Sequence, residues 1–157
     1  MSALRIDVAD LLTHPGARRP LHVEAVITGL GGAAARIREP VTLDLVLERV
    51  PEGIVARGTV LARWESECSV CLCDLSADLD AGVAELYEAV PVDGETYPIE
   101  GHELDLEQLV RDAVLLELPL APSCAGTGRE RCQPVAAPVA GDRPPDPRWA
   151  ALSELEL

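Results

Sequence analysis

Cysteines are the residues of this sequence whose type and spacing best suit chemistry. Cys68 and Cys71 are two residues apart, a spacing that lets two thiolates bind one tetrahedral ion from a tight turn. A second pair must complete such a site, and Cys124 and Cys132 are the candidates. The sequence therefore predicts a structural zinc site formed by Cys68, Cys71, Cys124 and Cys132. It leaves the role of Cys73, the fifth cysteine, unassigned.

Two other interpretations of the cysteines stay open at this point. In the first, the thiols are free and partly buried. In the second, Cys68 and Cys71 form a redox pair. A thioredoxin-type pair lies at the N-terminus of a helix, whereas this pair falls between predicted strands. Structural disulfides are disfavoured because we expect a cytoplasmic protein.

Enzymatic chemistry has little support among the other residues. His14, His22 and His102 occur in unrelated contexts, and the glycines from Gly29 to Gly32 are typical of a turn rather than a phosphate loop. Carboxylates of the acidic segment could bind Mg²⁺, but no base or nucleophile motif accompanies them. We predict a non-catalytic protein without a small-molecule substrate.

Negative charge is concentrated in one central segment. Thirteen Asp or Glu and no Arg lie between Trp64 and Val110, in a chain whose net charge is −14. Such a surface repels RNA and attracts basic proteins. The alternative is that the acids only keep the domain soluble. We predict a partner-binding acidic face with six candidate residues: Asp78, Asp80, Glu85, Glu88, Asp93 and Glu95.

The core must be aliphatic, because the sequence contains no Phe, two Trp and two Tyr. Charged residues interrupt every apolar stretch before it reaches the ~20 residues that span a bilayer. The first residues carry acids where a signal peptide requires an apolar region. We therefore expect a cytoplasmic protein without membrane association.

Alternating apolar and polar residues predict a series of strands, with a hairpin turn at Pro51-Glu52-Gly53. Residues 88–103, rich in Pro, Gly and acids, are predicted to form an exposed loop. The strands are predicted at Leu21–Thr28, Val41–Val50, Ile54–Trp64 and Leu75–Tyr87.

One amphipathic helix is predicted after these strands. Asp105 with Gln108 resembles a capping box, apolar residues follow at helical spacing from Leu106 to Leu118, and Pro119 ends the helix. The expected fold is α+β: a mainly antiparallel sheet or small barrel with one packed amphipathic helix and an irregular C-terminal tail. Residues 136–147 are predicted to form a linker, and a short helix is predicted over 146–155.

Several of these motifs, in this order, resemble the YceD family. Val70-Cys71-Leu72 corresponds to the family's Arg-Cys-Leu position, and the helix that ends at Leu118-Pro119 matches its Leu-Pro signature. The run from Asp146 to Leu152 matches a tail common in the family. The resemblance covers roughly residues 41–155. It divides the chain into a YceD-like domain, 1–134, and a Pro-rich linker with a short terminal helix, 135–157.

The resemblance implies a role in accumulation of the large ribosomal subunit's RNA, and hence in ribosome assembly. It also implies a genetic link to a small, basic, zinc-ribbon protein of the large subunit. One departure concerns the cysteines: many members carry four in a compact cluster after the Leu-Pro, whereas Gly128 and Val135 occupy two of those places here. A site that uses both cysteine groups would still have four ligands.

Two functions from other classes compete with this one. A direct ribosomal RNA-binding module would need arginines gathered on one face, and six could gather: Arg18, Arg19, Arg36, Arg38, Arg57 and Arg63. A zinc- or thiol-dependent redox protein would instead use the cysteines. We expect the acidic face to bind a basic large-subunit ribosomal protein or a precursor particle.

Overall fold

The computed structural model of the protein describes residues 4–129, Cys132 and Arg148. Within these residues the chain forms eight strands, two α-helices and a 3₁₀ turn. The strands are β1 (Arg5–Asp7), β2 (Arg18–Ala25), β3 (Ala35–Ile37), β4 (Val41–Arg49), β5 (Ile54–Glu67), β6 (Asp74–Glu88), β7 (Tyr97–Glu100) and β8 (Glu103–Asp105). The helices are α1 (Ala9–Thr13) and α2 (Glu107–Glu117), and the 3₁₀ turn is Cys124–Thr127.

All eight strands belong to one curled sheet that resembles half of a barrel. The strand order is β1-β8-β7-β6-β5-β4-β2, and β3 pairs with β5 beside β4. Neighbouring strands are antiparallel except for the short parallel pairing of β6 with β7. The expected fold, a mainly antiparallel sheet with one packed helix, is confirmed.

The core lies on the concave face of this sheet. Strand residues alternate between the two faces, so the apolar members of β4, β5 and β6 share one side. On β4 these are Val41, Leu43, Leu45 and Leu47, all buried. Helix α2 packs against β6 and β5 with the buried side chains of Leu109, Val110 and Val114. Burying this aliphatic face is the main favourable contribution to folding.

The structure corrects two of the strand and loop predictions. β2 runs from Arg18 to Ala25 rather than over 21–28, because Arg18 pairs in register with Glu48 of β4. The loop predicted over 88–103 contains β7 and, at its end, the start of β8. Tyr97 of β7 stacks on the buried Tyr87 with ring centroids 5.2 Å apart, a contact that stabilises this short strand.

The capping box is only half formed. Asp105 Oδ1 accepts a hydrogen bond from the backbone N–H of Glu107, the first residue of α2. Gln108, expected to complete the box, instead donates to Asp112 Oδ1 one turn further on. The linker and terminal helix predicted after residue 135 lie outside the described residues, apart from Arg148.

Gly58, in the middle of β5, provides a test of the sheet. Its φ is +153°, and a Cβ there would overlap the carbonyl oxygen of Asp44 on β4. Gly58→Ala should therefore lower the free energy of unfolding by about 1–3 kcal/mol in a urea titration. Gly82, on the neighbouring strand β6, has no heavy atom within 4 Å of such a Cβ. Gly82→Ala is the matched control, and equal losses in the two variants would contradict the assigned backbone.

Candidate metal centre and acidic surfaces

Three of the cysteines lie in the turn that joins the two longest strands. β5 and β6 pair as far as Glu67 and Asp74, and the loop between them contains Cys68, Cys71 and Cys73. The backbone N–H of Cys68 donates to the carbonyl oxygen of Cys73 at 2.8 Å, which closes the loop. The hairpin therefore presents three thiols at its tip.

The loop folds back on itself around Cys68. The Leu72 N–H donates to the Cys68 carbonyl oxygen at 2.9 Å, and the Val70 N–H donates to Cys68 Sγ at 3.4 Å. Leu72 has φ +61°, a left-handed conformation that Gly adopts readily and Leu does not. This reversal places Cys73 on the same side as Cys71, with their Sγ atoms 3.2 Å apart.

Cys124 reaches the same place from the other end of the fold. After α2 the chain runs back along the hairpin tip, where the Ser69 N–H donates to the Pro122 carbonyl oxygen at 2.8 Å. The 3₁₀ turn that begins at Cys124 then directs its side chain into the core. Arg129 Nη1 donates to the Asp74 carbonyl oxygen at 3.1 Å, a hydrogen bond that holds the residues after the turn against the start of β6.

The thiols meet at distances that suit a single metal ion. The Sγ atoms of Cys68, Cys71, Cys73 and Cys124 all lie within 4.8 Å of one another. The Sγ of Cys124 lies 3.4 Å from that of Cys73 and 3.7 Å from that of Cys71. A tetrahedral zinc–thiolate site with bonds of about 2.3 Å has sulfur–sulfur edges of about 3.8 Å. These four cysteines could hold a metal ion.

Local hydrogen bonds divide the thiols into two kinds. Backbone hydrogen bonding from Cys71, and then from Val70 and Cys124, lowers the pKa of Cys68 to about 6. Hydrogen bonding from the backbone and thiol of Cys73 lowers the pKa of Cys71. The thiol of Cys73 and burial raise the pKa of Cys124. Hydrogen bonding thus lowers the pKa of two thiols of the cluster, and the deprotonated thiolate is the form that binds metal.

The sequence-predicted ligands lie together in this centre. Cys132 Sγ is 3.5 Å from Cys68 Sγ, so Cys68, Cys71, Cys124 and Cys132 are neighbours. Cys73, which the sequence left unassigned, lies among them. Its position two residues after Cys71 was the available signal, but the reversal at Leu72 that brings both thiols together is not visible in the sequence.

The six acids of the predicted face lie on two different surfaces. Asp78 and Asp80 point away from the core on β6, where Asp78 accepts a hydrogen bond from Arg63 at 2.8 Å. Glu88, at the end of β6, has the same strand parity. Glu85 has the opposite parity and points towards α2, on the side of the buried residues.

Glu85 instead lines a groove between β6, the loop before β7 and α2. The groove has a volume of about 520 Å³ and also contains Asp93 and Glu95. Asp112 and Glu117 of α2 contribute two further carboxylates. No Lys, Arg or His lines the groove among the residues that the structure describes. It is a concave surface of uniformly negative charge.

The three histidines lie in different parts of the fold, and each contacts a different partner. His22 on β2 bonds to Asp44, whose hydrogen bond and charge raise the pKa of the imidazole. His14 contacts the Asp10 carbonyl oxygen, and His102 Nε2 lies 3.6 Å from Asp7. No helix within residues 4–129 is both long and apolar enough to cross a bilayer.

The domain is thus a curled, mainly antiparallel sheet with a thiol cluster at the tip of its longest hairpin. The family profile for "Large ribosomal RNA subunit accumulation protein YceD" matches residues 56–156. The chain therefore belongs to the YceD family, as the resemblance had implied.

Mycobacterial proteins are similar along nearly the whole chain. Uncharacterized proteins of Mycobacterium tuberculosis and Mycobacterium bovis are 31% identical over 98% of this chain and 82% of their own lengths. An uncharacterized protein of Mycobacterium leprae is 34% identical over 74% of this chain and 59% of its own length. No solved structure matches the chain significantly.

Leu72 provides a test of the turn that forms the centre. The left-handed conformation destabilises the fold by about 1–2 kcal/mol when a Leu adopts it. A Gly avoids this strain but loses roughly 0.5–1 kcal/mol more in chain entropy on folding. The Leu72 side chain is 62% exposed, so its removal loses little burial. Leu72→Gly should therefore raise the free energy of unfolding by up to about 1 kcal/mol. Val70→Gly, in the same loop, should lower it, and equal losses in both variants would contradict the left-handed turn.

Proposed function

We propose that the protein is a non-catalytic ribosome-biogenesis factor that promotes accumulation of large-subunit ribosomal RNA. The family match over residues 56–156 is the observation that carries this proposal, since the family's name describes that role. The factor would act in the cytoplasm by binding a basic large-subunit ribosomal protein or an assembly intermediate that contains one.

The acidic groove supports a basic partner. Glu85, Asp93 and Glu95 make no ion pair within the described part of the chain, so their charge is available to a ligand. Leu116 of α2 borders the groove and is 85% exposed, which adds an apolar contact. A concave, negative surface attracts a cationic partner and accelerates its association. We propose that this groove is the main partner site. Asp78, Asp80 and Glu88, on the outer face of β6, would form a separate, secondary contact.

The arginines favour a protein partner over naked RNA. Arg18 pairs with Glu48, Arg38 with Glu65 and Arg63 with Asp78. An arginine that is already paired with a carboxylate contributes less to phosphate binding, which depends on uncompensated cations. The RNA-binding alternative is therefore weaker than the protein-binding one.

The cysteine centre has a structural role in this proposal. A zinc ion bound there would connect the β5–β6 hairpin to the segment that follows α2, as a cross-link does. Cys68, Cys71 and Cys124 would supply three ligands, and Cys73 or the sequence-predicted Cys132 the fourth. Closed tetrahedral coordination would leave no open position for catalysis.

The assembly role predicts a specific defect in cells that lack the protein. Sucrose gradients of ribosomal particles should show a deficit of large subunits after depletion, with the protein itself in the precursor fractions of normal cells. A normal gradient, with the protein confined to the light fractions, would contradict the proposal.

Neutralising the groove should abolish complementation of that defect. We expect Glu85→Gln/Glu95→Gln to leave large subunits deficient, while Glu24→Gln/Glu52→Gln, with the same change in charge at exposed positions elsewhere, restores them. Co-sedimentation of the protein with precursor particles should also weaken strongly between low salt and about 0.5 M salt, because screening shortens the range of exposed charges. Salt-independent co-sedimentation, or equal complementation by both double variants, would exclude the groove as the partner site.

A further inference from the structure

Five thiols meet in a centre where a tetrahedral ion takes four ligands. The Sγ atoms of Cys68, Cys71, Cys73 and Cys124 are mutually close, and Cys132 lies against Cys68 at 3.5 Å. One thiol is therefore surplus to a single ion. Cysteine spacing alone favoured Cys132 as a ligand, and the geometry points to a different choice.

Three of the sulfurs already form one face of a tetrahedron. The Sγ–Sγ distances are 3.2 Å from Cys71 to Cys73, 3.4 Å from Cys73 to Cys124 and 3.7 Å from Cys71 to Cys124. These edges are close to the value of about 3.8 Å for a zinc tetrathiolate. Cys68 Sγ lies within 4.8 Å of all three and supplies the fourth vertex. An ion could enter this set with small side-chain adjustments.

The backbone holds the same four residues in place. Cys68 and Cys73 are joined by a hydrogen bond at the base of a loop whose ends are continuous with β5 and β6. Cys124 follows Pro122, whose carbonyl oxygen accepts from Ser69 in that loop. Cys132 lies eight residues beyond Cys124, and its thiol contacts those of Cys68, Cys71 and Cys124. Ligands that the backbone already holds in place lose little conformational entropy when they bind an ion.

We propose that Cys68, Cys71, Cys73 and Cys124 bind one Zn²⁺ as a tetrathiolate, and that Cys132 is a fifth, non-ligand thiol beside it. The proposal rests on the structural metal site suggested above and identifies its ligands. Binding replaces the protons of the ligand thiols by the ion and releases them to solvent. Cys132 keeps its thiol and stays open to modification while the centre is loaded.

Thiol mapping on the full-length, zinc-loaded protein tests this assignment without any mutation. Iodoacetamide followed by peptide mass spectrometry should modify Cys132 and leave the other four cysteines protected. After chelation in denaturant all five should react. Protection of Cys132 together with modification of Cys73 would overturn the ligand set, whereas a protein that binds no zinc would refute the metal site itself.

Two serine variants supply an independent measurement. Cys73→Ser should weaken zinc binding more than about 100-fold, because even changes to groups behind the ligands cost 10- to 100-fold in metal affinity. Cys132→Ser, the matched control, should change affinity by less than about threefold, or about 0.6 kcal/mol. Competition with a chromophoric chelator measures both constants. Retained zinc affinity in Cys73→Ser with a large loss in Cys132→Ser would overturn the proposal. If Cys73→Ser fails to fold, the thiol mapping on the unmutated protein still tests which cysteines are ligands.

Discussion

The pairing of β5 with β6 is the interaction on which the rest of the structure depends. It is continuous from Ile54–Tyr87 at one end to Glu67–Asp74 at the other. Each residue pair fixes the face on which the next side chains project, so one register determines the core, the outer surface and the loop. A shift of β6 by one residue against β5 would expose Ala81 and bury Asp78.

The same hairpin explains how a chain with so few aromatic residues builds a core. Its inner face carries mainly aliphatic and small residues, and it buries two aromatic side chains, Trp64 and Tyr87. The hydroxyl of Tyr87 donates to the carbonyl oxygen of Asp105 just before α2. Burial raises the pKa of Tyr87, so the residue stays neutral and the hydrogen bond survives at physiological pH. The tyrosine thus connects the sheet to the start of the helix that covers it.

Much of this fold could be predicted from the sequence, for reasons that also explain what was missed. β4 and α2 have clear periods of about 2 and 3.6 residues in their apolar positions. β7 was missed because it is short, begins with Tyr97-Pro98 and pairs with β6 over just two residues. The separation of Glu85 from Asp78 follows from strand parity, and parity requires the strand assignment first. The place of Cys73 depends on the left-handed Leu72, a conformation that nothing in that residue's identity predicts.

The long strand β6 separates the cysteine centre from the acidic groove. From Asp74, beside the thiols, to Glu85 in the groove the chain advances eleven residues, or roughly 35 Å of strand. Strand pairs open from their ends, and the end at Glu85 is held by α2 and by the stacked tyrosines. Fraying of the cysteine-bearing end would therefore stop before it reached the groove. If the cysteines bind a metal ion, its loss would loosen the hairpin tip and leave the groove, at the other end of β6, in its native geometry.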